Sequence, residues 1–217
     1  MKSRKVIWVI VLFVGIIVGY ILSELVNSYD RENENIIREK LTIPIVVAAD
    51  EIGIIGNATF NMVSGNGRIL FDNNPAIDTD LQYSAIIAVA YAQEYSNKKL
   101  NETDIIIDLN LPLDVIGGVS AGAPITVAVA ALLQEKQING SIILTGTINP
   151  DGTIGRVGEI REKATAARDA GYDIILVPPG QSRMWRDNIT IQEYLNDIIV
   201  IREVSNINEA LTLMIIE

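Results

Sequence analysis

The sequence predicts a mixed α/β domain of α+β character, preceded by one transmembrane helix. Three patterns carry this. An uncharged run fills residues 6–22. Two long β-rich stretches follow the polar segment after it, and from Ile105 onward short β-branched runs alternate with helical stretches. In the middle stands Ala121 to Leu133, with no charge on any face, which as a helix must be buried all round.

Taken in order, Val6 to Leu22 is seventeen residues without a charge, about 26 Å as a helix and just long enough to span a bilayer. Trp8 and Tyr20 stand near its ends, where aromatic belts form. Lys2, Arg4 and Lys5 precede it and Glu24 and Asp30 follow, so the positive-inside tendency keeps the N-terminus in the cytoplasm and places the remainder outside. A cleaved signal peptide, releasing a secreted protein, is the alternative. No Ala-x-Ala site follows the run, which favours an uncleaved anchor in the cell membrane. The expected organisation is an anchor over residues 1–23, a polar stalk over 24–40 and one domain over 41–217, long enough for its own core.

Within that domain Ile43 to Ala49 and Ile52 to Val63 read as strands. Ser64-Gly65-Asn66-Gly67 reads as the turn of a hairpin leading into Arg68 to Phe71. Asp78 to Ser96 has helical periodicity, with Leu81, Ile86, Val89, Ala90 and Tyr91 among its apolar residues, and Ile105 to Leu109 is a short buried strand. The central helix follows, with Pro124 tolerated only near its start. Ser141 to Thr147 is a strand and Asn149-Pro150-Asp151-Gly152 a turn. Glu159 to Gly171 is a helix whose apolar stripe is Ile160, Ala164, Ala167, Ala170 and Gly171. Asp173 to Val177, Ile191 to Leu195, Ile198 to Val204 and Asn208 to Ile215 then read as strand, helix, strand and helix.

Composition narrows the chemistry. The chain has no histidine and no cysteine, which excludes Ser-His-Asp triads, Cys-His dyads, disulfides and metal sites built on imidazole or thiolate. It carries 17 Lys plus Arg against 27 Asp plus Glu, a net charge of −10. Three of those basic residues precede the apolar run, which leaves the remainder at −13, a surface that repels phosphate backbones and argues against a nucleic-acid partner. Gly152, Gly155 and Gly158 recur every three residues, but no Gly-Lys pair occurs, so a Walker loop and a nucleotide partner are excluded and these glycines are read as shaping a loop.

Ser120 lies in the glycine-rich approach Gly117-Gly118-Val119-Ser120 at the start of the central helix, where backbone N–H groups are unpaired and can face a developing oxyanion. A capping serine is the ordinary reason for that placement. Lys163 falls on the apolar side of its predicted helix, between Ala167 and Ala170 in projection. Its ordinary role there is a stem over the core edge with the ammonium in water. Held dry, a lysine loses proton affinity and can take a proton from serine near neutral pH. Ser96-Asn97-Lys98-Lys99 offers a second Ser-Lys spacing, with Ser64-Gly65-Asn66 as a partner, but no Lys-Thr-Gly follows it.

Gly118-Val119-Ser120-Ala121-Gly122, Leu144-Thr145-Gly146-Thr147-Ile148, Gly155-Arg156-Val157-Gly158-Glu159-Ile160-Arg161-Glu162-Lys163, Ala166-Ala167-Arg168-Asp169-Ala170-Gly171 and Ile175-Leu176-Val177-Pro178 together resemble the proteolytic domain of the Lon protease family. The resemblance is colinear over roughly 75 residues. It implies that Ser120 is a nucleophile, Lys163 its general base and Thr145 the hydroxyl that holds the lysine amine, with Gly118 and Ala121 as supporting backbone. It also implies polypeptide substrates, no cofactor or metal and, by analogy, a ring homo-oligomer. Two places depart from the family's pattern. Before the serine, where the family often has an acidic residue and then Pro or Asp, stands Ile116-Gly117-Gly118-Val119; in the preceding strand, where histidines are common, stands Ile105 to Leu109. The expected function is a membrane-anchored, ATP-independent serine endopeptidase acting on unfolded or flexible polypeptides. The alternative is a non-catalytic binding or assembly domain of the same fold at the membrane.

Overall fold

The computed structural model describes residues 15–25, 37–183 and 189–216. The chain divides into two compact units, Met1–Arg38 and Glu39–Glu217. In the first, residues 15–25 form a helix, α1. The transmembrane helix expected over residues 6–22 lies in its first nine residues outside the described residues, and among the described residues no helix is long and apolar enough to cross a membrane. Most of the expected stalk, residues 26–36, also lies outside them, and the first strand begins at Ile37.

β1 (Ile37–Ala49) and β2 (Ile52–Ser64) are joined by Asp50 and Glu51 alone. Both turn residues have positive φ, 50° and 64°, the backbone of a type I′ hairpin. The four-stranded sheet runs β1-β2-β5-β3, where β3 is Ile69–Phe71 and β5 is Thr103–Asn110. The hairpin expected across Ser64–Gly67 is therefore not formed. β5 pairs antiparallel with β2, Phe60 opposite Ile107, and β3 runs parallel on the far side of β5, Ile69 opposite Ile105. Asp104 is the reason. Its Oδ1 accepts N–H bonds from Asn66 (2.8 Å) and Arg68 (2.9 Å), and its Oδ2 accepts the Arg68 guanidinium (2.8 Å from Nε). The loop is thereby pulled across the end of β5 instead of folding back on β2.

β4 (Ala76–Ile77) pairs parallel with β6 (Val115–Ile116) and leads into α2 (Thr79–Ser96). Asp78 caps α2, its Oδ1 accepting the Leu81 N–H at 2.9 Å. The buried face of α2 is Leu81, Ser84, Ala85, Ala88, Val89 and Ala92. Ile86 and Ala90, read from the sequence as part of the apolar pattern, are exposed. Alanines line the inner face because α2 packs closely on α3 (Gly122–Leu133), all twelve of whose residues are buried.

A second sheet is parallel throughout, in the order β12-β11-β8, from β8 (Ile142–Leu144), β11 (Ile174–Val177) and β12 (Val200–Glu203). The strand expected over Ser141 to Thr147 breaks after Leu144. The chain leaves the sheet at Thr145-Gly146 and resumes as β9 (Thr147–Ile148), paired antiparallel with β10 (Ile154–Gly155) around the predicted turn. α4 (Ile160–Asp169) packs on β2 and β11, in a small core of its own with Val46, Ile143, Ile175 and Val177. β7 (Gln137–Ile138) pairs antiparallel with β13 (Ile215–Ile216), α5 (Ile191–Tyr194) is the expected short helix before β12, and α6 (Ile207–Met214) closes the larger core against α3.

Asp104 has its pKa lowered to about 2 by the hydrogen bonds from Arg68 and Asn66. A depressed carboxylate contributes stability that is complete above the ordinary value and is lost as pH falls through the folded one. Asp104→Ala is expected to lower the urea-unfolding midpoint at pH 7, and the advantage of the native chain should shrink between pH 4 and pH 2.

Candidate active site

Ser120 does not cap α3. It sits inside a single 3-10 turn, Val119–Ala121, that precedes α3, entered through Gly118 at φ 84°, a backbone that needs glycine. The first helical bond of this turn is donated by Gly122 N–H to the Val119 carbonyl, so the N–H groups of Val119 and Ser120 come before the helical ladder begins. Three hydrogen bonds fix the segment. Gly118 N–H donates to Asp78 Oδ2 (3.2 Å), Ser84 Oγ donates to the Val119 carbonyl (3.3 Å), and Gly146 N–H donates to the Ser120 carbonyl (3.0 Å). The Ser120 side chain is half-buried, and its hydroxyl has no hydrogen bond among the described residues.

Lys163 is 3% exposed. It lies on the inner face of α4 with Ile160, Ala164 and Ala167, while Ala170 and Gly171 of the expected stripe fall beyond the end of the helix and are exposed. The buried stripe is thus shorter than periodicity suggests, and the lysine is one of its four members instead of a rim residue with its head in water. Burial strips water from the ammonium and lowers its pKa to about 8, against the opposing pull of the Glu159 carboxylate. No ion pair or hydrogen bond to the amine occurs among the described residues.

Ser120 and Lys163 open onto one cleft of about 370 Å³. Gly117 to Ser120 form one side, Arg156 to Glu159 with Lys163 the other, and Val47 and Ala48 of β1 complete it. The loop over Arg156 to Glu159 is held by Gln181, which accepts the Val157 N–H at Oε1 (3.0 Å) and donates from Nε2 to the Val157 carbonyl (2.7 Å). Thr145 is fully buried between the lysine's sheet and the serine's loop, its N–H on the Leu176 carbonyl and its neighbour Gly146 on Ser120. Its Oγ1 is buried without a hydrogen-bond partner, so the bond to the lysine amine that the resemblance implies is not formed here. Gly118 lines the cleft with its N–H already engaged by Asp78, and Ala121 packs against the core outside the cleft.

The rival serine and lysine are not brought together in any such way. Ser96 Oγ donates to the Ala92 carbonyl of its own helix (2.7 Å), and Lys99 is exposed. Sequence reasoning missed Asp78, Ser84 and Gln181. Asp78 had a visible signal as a helix cap, but its second partner lies forty residues away.

Residues 60–217 match the model of the Lon protease (S16) C-terminal proteolytic domain. The chain belongs to that family. Among relatives, Lon protease 2 of Syntrophobacter fumaroxidans is 28% identical over 158 residues, 70% of this chain and 19% of that protein. Lon protease of Ureaplasma parvum is 27% identical over 184 residues, 79% of this chain and 23% of the relative. Lon protease of Dictyoglomus thermophilum is 25% identical over 221 residues, covering 94% and 27%. The chain thus spans about a quarter or less of the length of these relatives. The matched part of the Lon domain holds Ser120, Thr145 and Lys163 but begins within β2, so the β1 wall of the cleft precedes it.

Burying the lysine of this Lon domain has a thermodynamic consequence. Its folded pKa of about 8 lies below the ordinary 10.5, so below pH 8 the folded state carries a poorly hydrated ammonium, and that penalty fades as pH rises and is gone above 10.5. Lys163→Met, close in volume, is expected to stabilise the fold at pH 7 by up to about 3 kcal/mol, with the gain vanishing at alkaline pH. Urea titrations at pH 7 and pH 10.5 check both the sign and its pH dependence.

Proposed function

We propose that the chain is a membrane-anchored, ATP-independent serine endopeptidase in which neutral Lys163 activates Ser120. The observation that carries this is a 3%-exposed lysine, its pKa brought down to about 8, on the same cleft as a serine hydroxyl, with neither the amine ion-paired nor the hydroxyl hydrogen-bonded among the described residues. At pH 7 a base of pKa 8 is about one-tenth neutral, whereas an ordinary lysine is neutral about once in three thousand. Burial thus enlarges the active fraction some 300-fold.

In the proposed reaction Lys163 Nζ accepts the Ser120 proton as Oγ bonds to the carbonyl carbon of a peptide. The tetrahedral oxyanion is met by N–H groups that precede the first helical bond near Ser120. Collapse breaks the C–N bond, and the leaving amine takes the proton from Lys163, which leaves an acyl-serine. Water then attacks the ester carbon as it gives a proton to Lys163 Nζ, and collapse breaks the bond to Ser120 Oγ, which takes that proton back from Lys163 as the acid product leaves. β1 is the outer strand of its sheet, and Val47 and Ala48 line the cleft. This supports extended, unfolded or flexible polypeptides as substrates, recognised by main-chain pairing. No Walker sequence occurs in the 217 residues, so the proposed chemistry draws on no nucleotide-binding loop within them.

Cleavage of casein or a flexible peptide is expected to fall by on the order of 10³-fold or more in both Ser120→Ala and Lys163→Ala. The pH–rate profile should rise through a limb near 8, where burial places the lysine. Activity indifferent to either substitution would end the dyad. The non-catalytic reading draws on the unpartnered Thr145 hydroxyl; a fluorophosphonate that labels Ser120 excludes it.

Membrane attachment is supported by the uncharged run over residues 6–22, its basic leading flank and the helical state of residues 15–25. The proposed topology is single-pass, with the N-terminus cytoplasmic and the Lon domain outside. A ring homo-oligomer rests on family resemblance alone. The chain is expected to stay with membranes in alkaline carbonate, and its domain to be digested by external protease on intact cells. Shielding of the domain would refute the orientation.

A further inference from the structure

We propose that Asp78 is the positioning residue of the nucleophile loop: its carboxylate brackets the start of α2 to Gly118 and so fixes Ser120 and the N–H groups beside it. The inference rests on the reading of Ser120 as nucleophile. It begins with the short ladder of β4 and β6, in which Ile77 stands opposite Ile116 and Asp78 N–H donates to the Ile116 carbonyl at 3.0 Å. Where the ladder ends, the two chains part. One enters α2 at Asp78 and the other turns through Gly117 and Gly118 into the serine loop.

The carboxylate spans that fork. Oδ1 accepts Leu81 N–H (2.9 Å) and Oδ2 accepts Gly118 N–H (3.2 Å). The loop contains no acidic residue of its own; its carboxylate arrives from forty residues upstream. Gly117 makes room for it, because a Cβ there would lie 1.9 Å from Asp78 Oδ2. A second grip comes from the same helix, in Ser84 Oγ on the Val119 carbonyl. With Gly118 N–H committed to Asp78, that amide is a structural donor. The loop hangs from α2, a rigid body docked on α3, and displacement of such a loop by an ångström costs rate far more than stability.

Asp78→Asn isolates the bracket. Asn caps a helix as well as Asp does, but its amide has one acceptor oxygen where the carboxylate has two, so Leu81 and Gly118 cannot both be served. In the full chain in detergent, the expected result is a urea midpoint close to that of the native chain. kcat should be lower by on the order of 10- to 100-fold, KM should change by less than about twofold, and amide exchange should be faster at Gly118 than at Leu81. Gly117→Ala should do the same by expelling the carboxylate, and the double variant should fall no further than either single one, as for changes acting through one contact. Unchanged kcat with Gly118 still protected overturns the proposal. So does a loss of stability that accounts for the rate, or full additivity of the two substitutions. If the native chain shows no Ser120-dependent cleavage, the dyad itself fails, and exchange at Gly118 then judges the bracket alone.

Discussion

Two hydrogen bonds through Gly146 hold this domain in its working form. Its N–H reaches the Ser120 carbonyl and its carbonyl accepts the Ala123 N–H, both at 3.0 Å. One residue earlier, Thr145 N–H is bonded to Leu176 of the parallel sheet. That short peptide is the rivet between the body that carries the serine, α3 with its preceding 3-10 turn, and the sheet against which α4 and its lysine pack. It also explains why β8 stops where it does: a strand continued through Gly146 would give that residue's groups to a neighbouring strand and leave the start of α3 without its acceptor.

The energetic character of the cleft follows from what surrounds Lys163. Ile160, Ala164 and Ala167 share its face of α4, and a small core including Val46, Ile143, Ile175 and Val177 lies beneath. Such a setting hydrates an ammonium poorly, and no carboxylate is bonded to it among the described residues, so its proton affinity falls well below that of an ordinary lysine. The domain thus gives up some folding stability at neutral pH to hold a lysine whose pKa lies near 8. The unpaired Thr145 hydroxyl belongs to the same economy of unsatisfied groups. It is a fully buried polar atom between the sheet and the Ser120 loop, and like the Lys163 amine it has no hydrogen-bond partner among the described residues.

Much of the architecture was legible because its signals are local. Uncharged Ala121 to Leu133 can only be a core helix, and it is wholly buried. The helical pattern from Asp78 to Ser96 is α2, Thr79–Ser96, one residue shorter because Asp78 is its cap. The β-branched runs at Ile43, Ile52, Ile105 and Ile174 all lie in strands. Two of the failures come from contacts distant in sequence, and one from a local helix stop at Gly171, φ 84°, that periodicity ignores. Ser64-Gly65-Asn66-Gly67 has good turn chemistry, yet Asp104 recruits the loop for β5. Ala170 and Gly171 fit the helical stripe, yet α4 ends at Asp169. Ile86 fits the apolar pattern of α2, yet the close approach of α3 selects alanines for the inner face and leaves it outside.

By itself the sequence narrowed which reactions were open to this chain: with neither histidine nor cysteine, a nucleophilic serine could have only lysine or a carboxylate as its base, and the glycine-rich approach marked the serine. It also determined the family, since the motifs that carry the resemblance are contiguous. Tertiary structure alone decided whether the lysine is dry, what shares its cleft and what holds the serine loop. Those depend on Val47 reaching the site from β1, on Gln181 clamping Val157 and on Asp78 bonding forty residues ahead. Proton affinity is set by what excludes water from an atom in space, and adjacency along a chain says almost nothing about that.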